Sequence, residues 1–213
     1  MRSIVSPPDI RSIRLPPDMR DDDVRFSEAL VEHFLSELTR PDDVVLDPFA
    51  GYGTTLLVAE RMGRHGWGVE LDEERAAFAR STLSHPERLL LGDSRRLGTL
   101  ELPQADFSIS SPPYMGRNDP EDPLTAYREP GTGYEDYLLG LRSVYEQVGS
   151  FMKTGGHVVV EVSNIRTEQG VTPLAWDLAR ELGVLWTFRG EVVVDLQATG
   201  HGYEHSYALV YET

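Results

Sequence analysis

The sequence predicts a single α/β domain: a seven-stranded, mainly parallel sheet with helices on both faces and a C-terminal β-hairpin. Three observations support this fold class. Short apolar runs alternate with amphipathic segments of helical period along most of the chain, which is typical of a parallel sheet. The length of 213 residues is that of one ordinary domain. With 40% apolar and 26% charged residues, the composition lies in the globular range, so a wholly disordered chain is excluded.

The elements follow in order along the chain. Residues 1–23 are rich in proline and charge and are predicted to form an irregular arm ahead of the main domain, 24–213. Ser27 is the predicted N-cap of the first helix, because its hydroxyl can accept from a free backbone amide. The predicted helices cover residues 27–38, 54–62, 73–83, 134–152 and 173–182. The predicted strands cover residues 44–47, 66–71, 88–91, 105–110, 157–162, 189–196 and 206–212.

Two connections have a distinctive composition. The last two strands flank a Gly-His-Gly-Tyr segment at 200–203, which predicts the antiparallel hairpin. His201, Tyr203 and His205 are interpreted as residues of that turn. Residues 115–133 show no apolar period and are interpreted as a substrate loop. Three tyrosines in or just after this loop are secondary candidates for stacking on a substrate: Tyr127, Tyr134 and Tyr137.

Composition excludes several classes of function. The chain has no cysteine, which rules out disulfide scaffolds, thiolate zinc sites and cysteine nucleophiles. No apolar run approaches the roughly 18 residues of a membrane span, so no membrane contact and a cytoplasmic location are expected. The net charge of −15 argues against tight nonspecific binding to nucleic acid, because an acidic surface repels phosphate.

A segment with two glycines links the strand at 44–47 to the next helix. It reads Asp-Pro-Phe-Ala-Gly-Tyr-Gly-Thr-Thr from Asp47 to Thr55, and its glycines allow the backbone to approach a ligand closely. The Gly-Lys-Ser/Thr ending of a phosphate-binding loop is missing, and a dinucleotide fingerprint needs three glycines. We therefore interpret the segment as a cofactor loop in which Asp47 faces a cationic ammonium group.

Two further acids follow the next two strands. Glu70 ends the second strand, where a carboxylate can hold both hydroxyls of a ribose, and Asp93 follows the third, where it can accept from an adenine amino group. Each acid taken alone is more typical of a helix cap or a solvated turn. At three successive strand ends they predict a pocket for an amino acid, a ribose and an adenine. S-adenosylmethionine is the common cofactor that carries all three, and no metal is expected.

A second segment, Ser-Ser-Pro-Pro-Tyr, follows the fourth strand. Its two prolines stiffen the chain and remove two amide donors, which leaves the carbonyl groups free to accept. The hydroxyl of Ser111 and the carbonyl of Pro112 can draw the N–H groups of an exocyclic base amine out of conjugation with the ring. The nitrogen lone pair then faces the methyl donor. Tyr114 offers a face on which an unstacked base can lie.

These two segments resemble the cofactor and catalytic motifs of the amino-methylating DNA methyltransferases, which act on cytosine N4 or adenine N6. The similarity covers roughly residues 24–164 and implies a Rossmann-like S-adenosylmethionine-dependent methyltransferase fold. It implies catalysis by Ser111, Pro112, Pro113 and Tyr114. It implies cofactor binding by Arg25, Phe26, Asp47, Pro48, Phe49, Ala50, Gly51, Gly53, Thr54, Thr55, Glu70 and Asp93. Serine at the head of the second motif is typical of the N4-cytosine enzymes, whereas aspartate or asparagine is commoner in the N6-adenine enzymes.

The predicted function is therefore methylation of a base amine in DNA, with cytosine N4 favoured over adenine N6. Methylation at cytosine C5 is excluded because it needs a thiolate. Two alternatives stay open: an RNA (tRNA or rRNA) base amino methyltransferase, and a non-catalytic cofactor-binding partner subunit. The sequence leaves no room for a separate target-recognition region, which makes a partner subunit or a homodimer plausible. The tryptophans Trp176 and Trp186 are predicted to lie in the core.

Overall fold

The computed structural model describes residues 3–20, 25–168, 170–196 and 204–213. The helices are α1 (Glu28–Leu38), α2 (Thr54–Arg61), α3 (Glu73–Thr82), α4 (Tyr134–Phe151) and α5 (Leu174–Leu182). The strands are β1 (Ile4–Val5), β2 (Val44–Asp47), β3 (His65–Glu70), β4 (Leu89–Leu91), β5 (Ala105–Ser110), β6 (Met152–Val162), β7 (Ile165–Thr167), β8 (Gly170–Thr172), β9 (Thr187–Asp195) and β10 (His205–Glu212).

The main sheet has eight strands in the order β1-β9-β10-β6-β5-β2-β3-β4. Strands β2 to β6 are parallel to one another, so their carboxyl ends meet at one edge of the sheet. Strand β10 runs antiparallel to both β6 and β9, which confirms the predicted C-terminal hairpin. The turn at 200–203, with His201 and Tyr203, lies outside the described residues.

Two features of the sheets differ from the prediction. The arm is not wholly irregular, because β1 pairs in parallel with Val193 and Val194 of β9 and raises the strand number from seven to eight. Strands β7 and β8 form a separate two-stranded hairpin. Both additions consist of two or three residues, too few to show an alternating pattern in the sequence.

Strand β6 begins at Met152, five residues ahead of the predicted start at His157. The added segment, Met-Lys-Thr-Gly-Gly, is polar and therefore shows no strand pattern. It is held by pairing with the chain end, where Gly155 N–H donates to the Thr213 carbonyl and Thr213 N–H donates to the Gly156 carbonyl, both at 3.0 Å. The helix boundaries agree with the prediction to within one residue.

The core consists of two main clusters on opposite faces of the sheet. One packs α4 and α5 against the sheet around Tyr145 and Leu178, and the other packs α1 and α2 around Phe34. Consecutive residues of β6 serve opposite faces: Val158 lies in the first cluster and Val159 in the second. Trp186 packs against the first cluster as predicted, but the prediction for Trp176 was wrong: its side chain is 46% exposed and stacks on Tyr207.

Within the described residues, none of the helices combines the length and the apolar character that crossing a membrane requires.

Candidate active site

A large pocket opens at the edge where the parallel strands end. Its volume is about 850 Å³, within the range of ligand and cofactor sites. It is lined by the loops after β2 and β3, the turn after β4, the segment after β5 with the end of β6, the loop at 115–133, the end of β9, and the arm with the start of α1. The pocket therefore brings together both segments that the sequence singled out.

Asp47 shapes the first loop from its buried position at the end of β2. One carboxylate oxygen accepts from the Phe49 amide at 2.9 Å, and the other accepts from the Thr55 hydroxyl at 2.6 Å. Burial raises the pKa of Asp47 to about 7, although these two hydrogen bonds oppose the shift. The carboxyl also lines the pocket, where a cationic ligand would stabilise its charged form.

The backbone conformation of the loop between Asp47 and α2 requires glycine at two positions, and one of them also lacks space for a side chain. Gly51 and Gly53 both have positive φ, at 53° and 82°, a conformation that other residues rarely adopt. A Cβ at Gly53 would also approach Ala79 Cβ at 3.1 Å. Pro48, Phe49, Ala50, Gly51 and Thr54 line the pocket, whereas Gly53 and Thr55 lie behind this wall and support it.

Glu70 connects this loop to the next strand. One carboxylate oxygen accepts from the Gly51 amide at 2.7 Å, and the other accepts from the Asp72 amide at 2.8 Å. Burial raises the pKa of Glu70 against the effect of these two bonds. The same carboxylate thus faces the pocket and fixes the spacing of two loops.

Asp93 combines both interpretations that the sequence allowed. It caps the turn that follows β4 by accepting from the Arg95 amide at 2.9 Å, and it lines the pocket. The Arg95 guanidinium donates hydrogen bonds to both carboxylate oxygens, with N···O distances of 2.8–3.1 Å. Burial alone would raise the pKa of Asp93, but the bonds to Arg95 lower it below its ordinary value. The charge on Asp93 is therefore fixed by a cation that the sequence analysis did not identify.

The second segment follows β5, the strand that pairs with β2 in the sheet. Ser111, Pro112, Pro113 and Tyr114 all line the pocket. The Tyr114 hydroxyl donates to Glu161 at 3.1 Å and lies 3.4 Å from the Ser111 hydroxyl. The Pro113 carbonyl is held by the Tyr137 hydroxyl at 2.7 Å. Tyr134 and Tyr137 are buried and serve the core, whereas Tyr127 lines the pocket and is 54% exposed.

The N-terminal arm forms a further wall. Arg25 and Phe26 line the pocket, and Ser27 caps α1 by accepting from the Ala29 amide at 3.2 Å. The Ser27 hydroxyl also donates to the Pro8 carbonyl at 2.6 Å, which ties the arm to the helix. Three arm residues that the sequence did not single out reach the pocket as a result: Pro7, Asp9 and Arg11.

Glu161 is a further pocket residue that the sequence analysis missed. It sits in β6 among valines, is only 6% exposed, and lines the pocket beside Ser111 and Tyr114. The signal was present, since an acid within a run of buried apolar strand residues is unusual unless it has a partner. His205 lies at the start of β10 and bonds through its ring to the Tyr207 hydroxyl.

Comparisons with known proteins agree with this picture. A family model described as DNA methylase matches residues 17–81, which include the Asp47 loop and Glu70. The type II methyltransferase M.BglII of Bacillus subtilis is 38% identical over 60 residues, which are 28% of this chain. The matched part spans only 17% of the length of M.BglII.

Two solved structures extend the similarity to the whole sheet. TrmN from Thermus thermophilus superposes with a TM-score of 0.61 at 22% identity, over 95% of this chain and 55% of that one. A TehB-like S-adenosylmethionine-dependent methyltransferase from Corynebacterium glutamicum gives a TM-score of 0.59 at 14% identity, over 92% of each chain. Over residues 17–81 the chain thus resembles the DNA methylase family, and its sheet has the fold of S-adenosylmethionine-dependent methyltransferases, which indicates S-adenosylmethionine as the cofactor.

Proposed function

We propose that the protein is an S-adenosylmethionine-dependent methyltransferase that acts on an exocyclic base amine in DNA, with cytosine N4 as the preferred target. One observation carries the proposal: the Ser111–Tyr114 segment and the Asp47–Glu70 frame line the same pocket. The first supplies acceptors and an aromatic face for a base, and the second supplies carboxylates for a cationic nucleoside.

The pocket fits this cofactor in size and in charge. Its volume of about 850 Å³ accommodates a nucleoside with an amino-acid tail, and the pKa of buried Asp47, about 7, leaves it ready to ionise beside an ammonium group. In this proposal Asp47 faces the ammonium group, Glu70 the ribose and Asp93 the adenine. Arg25 and Phe26 close the amino-acid end, and the loop backbone at Gly51 packs along the nucleoside.

When bound, the cofactor supplies an electrophilic methyl group. The protein's own task is to present the acceptor nitrogen to it. We propose that the Ser111 hydroxyl and the Pro112 carbonyl accept the two N–H bonds of the amine, while the Tyr114 ring stacks on the base. Held in this way, the nitrogen lone pair is available for attack and correctly aimed.

The DNA target is supported by the family model and by M.BglII, whose descriptions name DNA methylation and a type II methyltransferase. An RNA base is the second candidate, since the same acceptor groups suit a base amine in either polymer. A non-catalytic partner subunit is disfavoured, because Ser111 and Tyr114 both face the pocket. A cytoplasmic location and target recognition by a partner subunit or homodimer belong to the same proposal.

The arginines near the pocket are engaged within the chain. In the arm, Arg11 pairs with Asp9 and Arg20 donates to the Leu15 carbonyl. In the loop, Arg117 lies 3.6 Å from Asp177 and Arg128 lies 3.3 Å from Asp72. With the net charge of −15, few cations remain to release counterions from duplex DNA.

Replacing Glu70 by alanine should weaken cofactor binding by about 10- to 100-fold. The variant loses charge-assisted hydrogen bonds worth roughly 1.5–3 kcal/mol. Isothermal titration calorimetry with S-adenosylmethionine measures the change, and added EDTA should leave it unaltered. Glu73→Ala, an exposed change at the start of α3, is the matched control. Wild-type affinity in Glu70→Ala would contradict the assigned ribose contact.

Cofactor affinity should rise as the pH increases from about 5.5 to about 7.5. Burial raises the pKa of Asp47 to about 7, so the group is mostly neutral at the acidic end and must lose a proton to face an ammonium group. Calorimetry in buffers of different ionisation enthalpy should detect that proton release. Asp47→Asn should bind weakly at every pH in this range. A variant that keeps the wild-type slope would show that Asp47 is not the titrating group.

Ser111→Ala and Tyr114→Ala should each lower methyl transfer by about 10-fold or more and leave cofactor affinity nearly unchanged. In this proposal both side chains contact the acceptor base and not the cofactor. Mass analysis of nucleosides from DNA and from RNA incubated with the protein measures the product and identifies the polymer. Ser36→Ala, on the exposed side of α1, is the control. Equal losses of cofactor affinity and of transfer would indicate a purely structural segment.

Single-stranded or mismatched substrate should be methylated faster than duplex, because an unpaired base is less costly to seat. Duplex affinity of the lone chain should lie in the nonspecific range, roughly 10⁻⁴–10⁻⁶ M at physiological salt. Fluorescence titrations of matched oligonucleotides at two salt concentrations test both statements. Nanomolar, sequence-specific duplex binding would instead assign sequence recognition to the loop at 115–133.

A further inference from the structure

The carboxyl group of Glu161 occupies an unusual position for a charged side chain. Strand β6 is apolar on both faces here, with Val158, Val159, Val160 and Val162 all fully buried. Glu161 is 6% exposed, yet it lines the pocket beside the segment assigned to the acceptor base. Burying a carboxylate in such surroundings costs free energy that a valine would avoid.

The polar groups of the described residues that act on Glu161 are hydroxyls. The Tyr114 hydroxyl donates to one carboxylate oxygen at 3.1 Å and lies 3.4 Å from the Ser111 hydroxyl. Burial raises the pKa of Glu161, and the nearby hydroxyls of Ser206, Ser111 and Tyr114 offset only part of the shift. A buried acid with a raised pKa that faces a pocket is typical of proton transfer.

The geometry also supplies a route. Ser111 is the residue that the proposed function places against an N–H of the acceptor amine. Its hydroxyl lies 3.4 Å from the Tyr114 hydroxyl, which donates to Glu161. A hydroxyl can accept a proton from one side while it donates its own to the other. Ser111 and Tyr114 therefore link the acceptor nitrogen to the buried carboxylate.

We propose that Glu161 is the proton acceptor of the methyl-transfer reaction and that it acts through the hydroxyls of Ser111 and Tyr114. This inference rests on the proposed function. The acceptor nitrogen uses its lone pair to form the bond to the methyl carbon, and the electron pair of the broken carbon–sulfur bond stays on sulfur. The nitrogen gives one proton to the Ser111 hydroxyl, the proton of Ser111 passes to the Tyr114 hydroxyl, and the proton of Tyr114 passes to the Glu161 carboxylate, which becomes neutral. Glu161 returns that proton to water before the next turnover.

The pH dependence has a definite sign. Glu161 accepts a proton only when ionised, so kcat should fall as the pH drops through its raised pKa. The groups that face it are the hydroxyls of Ser111 and Tyr114 from the β5 side and of Ser206 from β10. Because Asp47 also titrates in the pocket, the profile is measured as kcat at saturating cofactor and substrate.

The principal test is Glu161→Gln, which keeps the shape of the side chain and an oxygen that can accept from Tyr114. We expect kcat to fall by about 10²- to 10⁴-fold, the usual contribution of a general base. The acidic limb of the kcat profile should disappear, and the Kd for S-adenosylmethionine should stay within about threefold. Glu191→Gln, an exposed acid of β9, is the matched control and should leave all three quantities unchanged.

A second variant covers the case in which Glu161→Gln fails to fold. Tyr114→Phe keeps the aromatic ring but removes the hydroxyl that links Ser111 to Glu161, so kcat should fall as it does in Glu161→Gln and the acidic limb should disappear. If Glu161 has a purely structural role, Tyr114→Phe should lower activity but leave the acidic limb of the kcat profile in place. That result, or wild-type kcat in Glu161→Gln, overturns the inference while the wild-type enzyme still methylates. A wild-type protein that binds the cofactor but methylates neither DNA nor RNA overturns the proposed function and this inference with it.

Discussion

The pocket depends on one buried carboxylate that closes the loop between a strand and a helix. Asp47 holds the Phe49 amide with one oxygen and the Thr55 hydroxyl with the other, so both ends of the loop are fixed to the same side chain. Glu70 then binds the Gly51 amide at the middle of that loop. Two acids thus form a frame inside the protein before any ligand contributes, and burial opposes the charge on both. The two carboxylates fix the shape of the loop, but burial disfavours their negative charges. A cationic ligand in the pocket would stabilise those charges.

Much of the fold follows from local pattern. Strand β5 has the predicted bounds because its apolar run is closed by proline on both sides, at Pro103 and Pro112. Ser27 was predicted as a cap and is one, because capping involves neighbours in the sequence. Strand β1 was missed for the opposite reason. Its two residues become a strand only by pairing with β9, at the far end of the chain, and no local pattern records that contact.

The candidate site was predictable in position and less so in detail. Parallel strands bring their carboxyl ends together, so the placement of Asp47, Glu70 and Asp93 at one edge followed from topology alone. The hydrogen-bond partners of the acids in the pocket could not be predicted from topology. The guanidinium of Arg95 on Asp93 depends on the turn geometry, and the position of Glu161 beside Tyr114 depends on the order of β5 and β6. Long-range contacts of this kind carry no signal in a single sequence.

The arm has a consequence for the free surface of the sheet as well as for the pocket. An outer strand with unpaired backbone groups invites pairing with another molecule. On this sheet β1 covers part of β9, and the opposite outer strand, β4, is only three residues long. The same arm supplies Pro7, Asp9 and Arg11 to the pocket. Detaching the arm would therefore open the pocket and at the same time expose the unpaired backbone groups of β9. Loss of activity and self-association would then have the same cause.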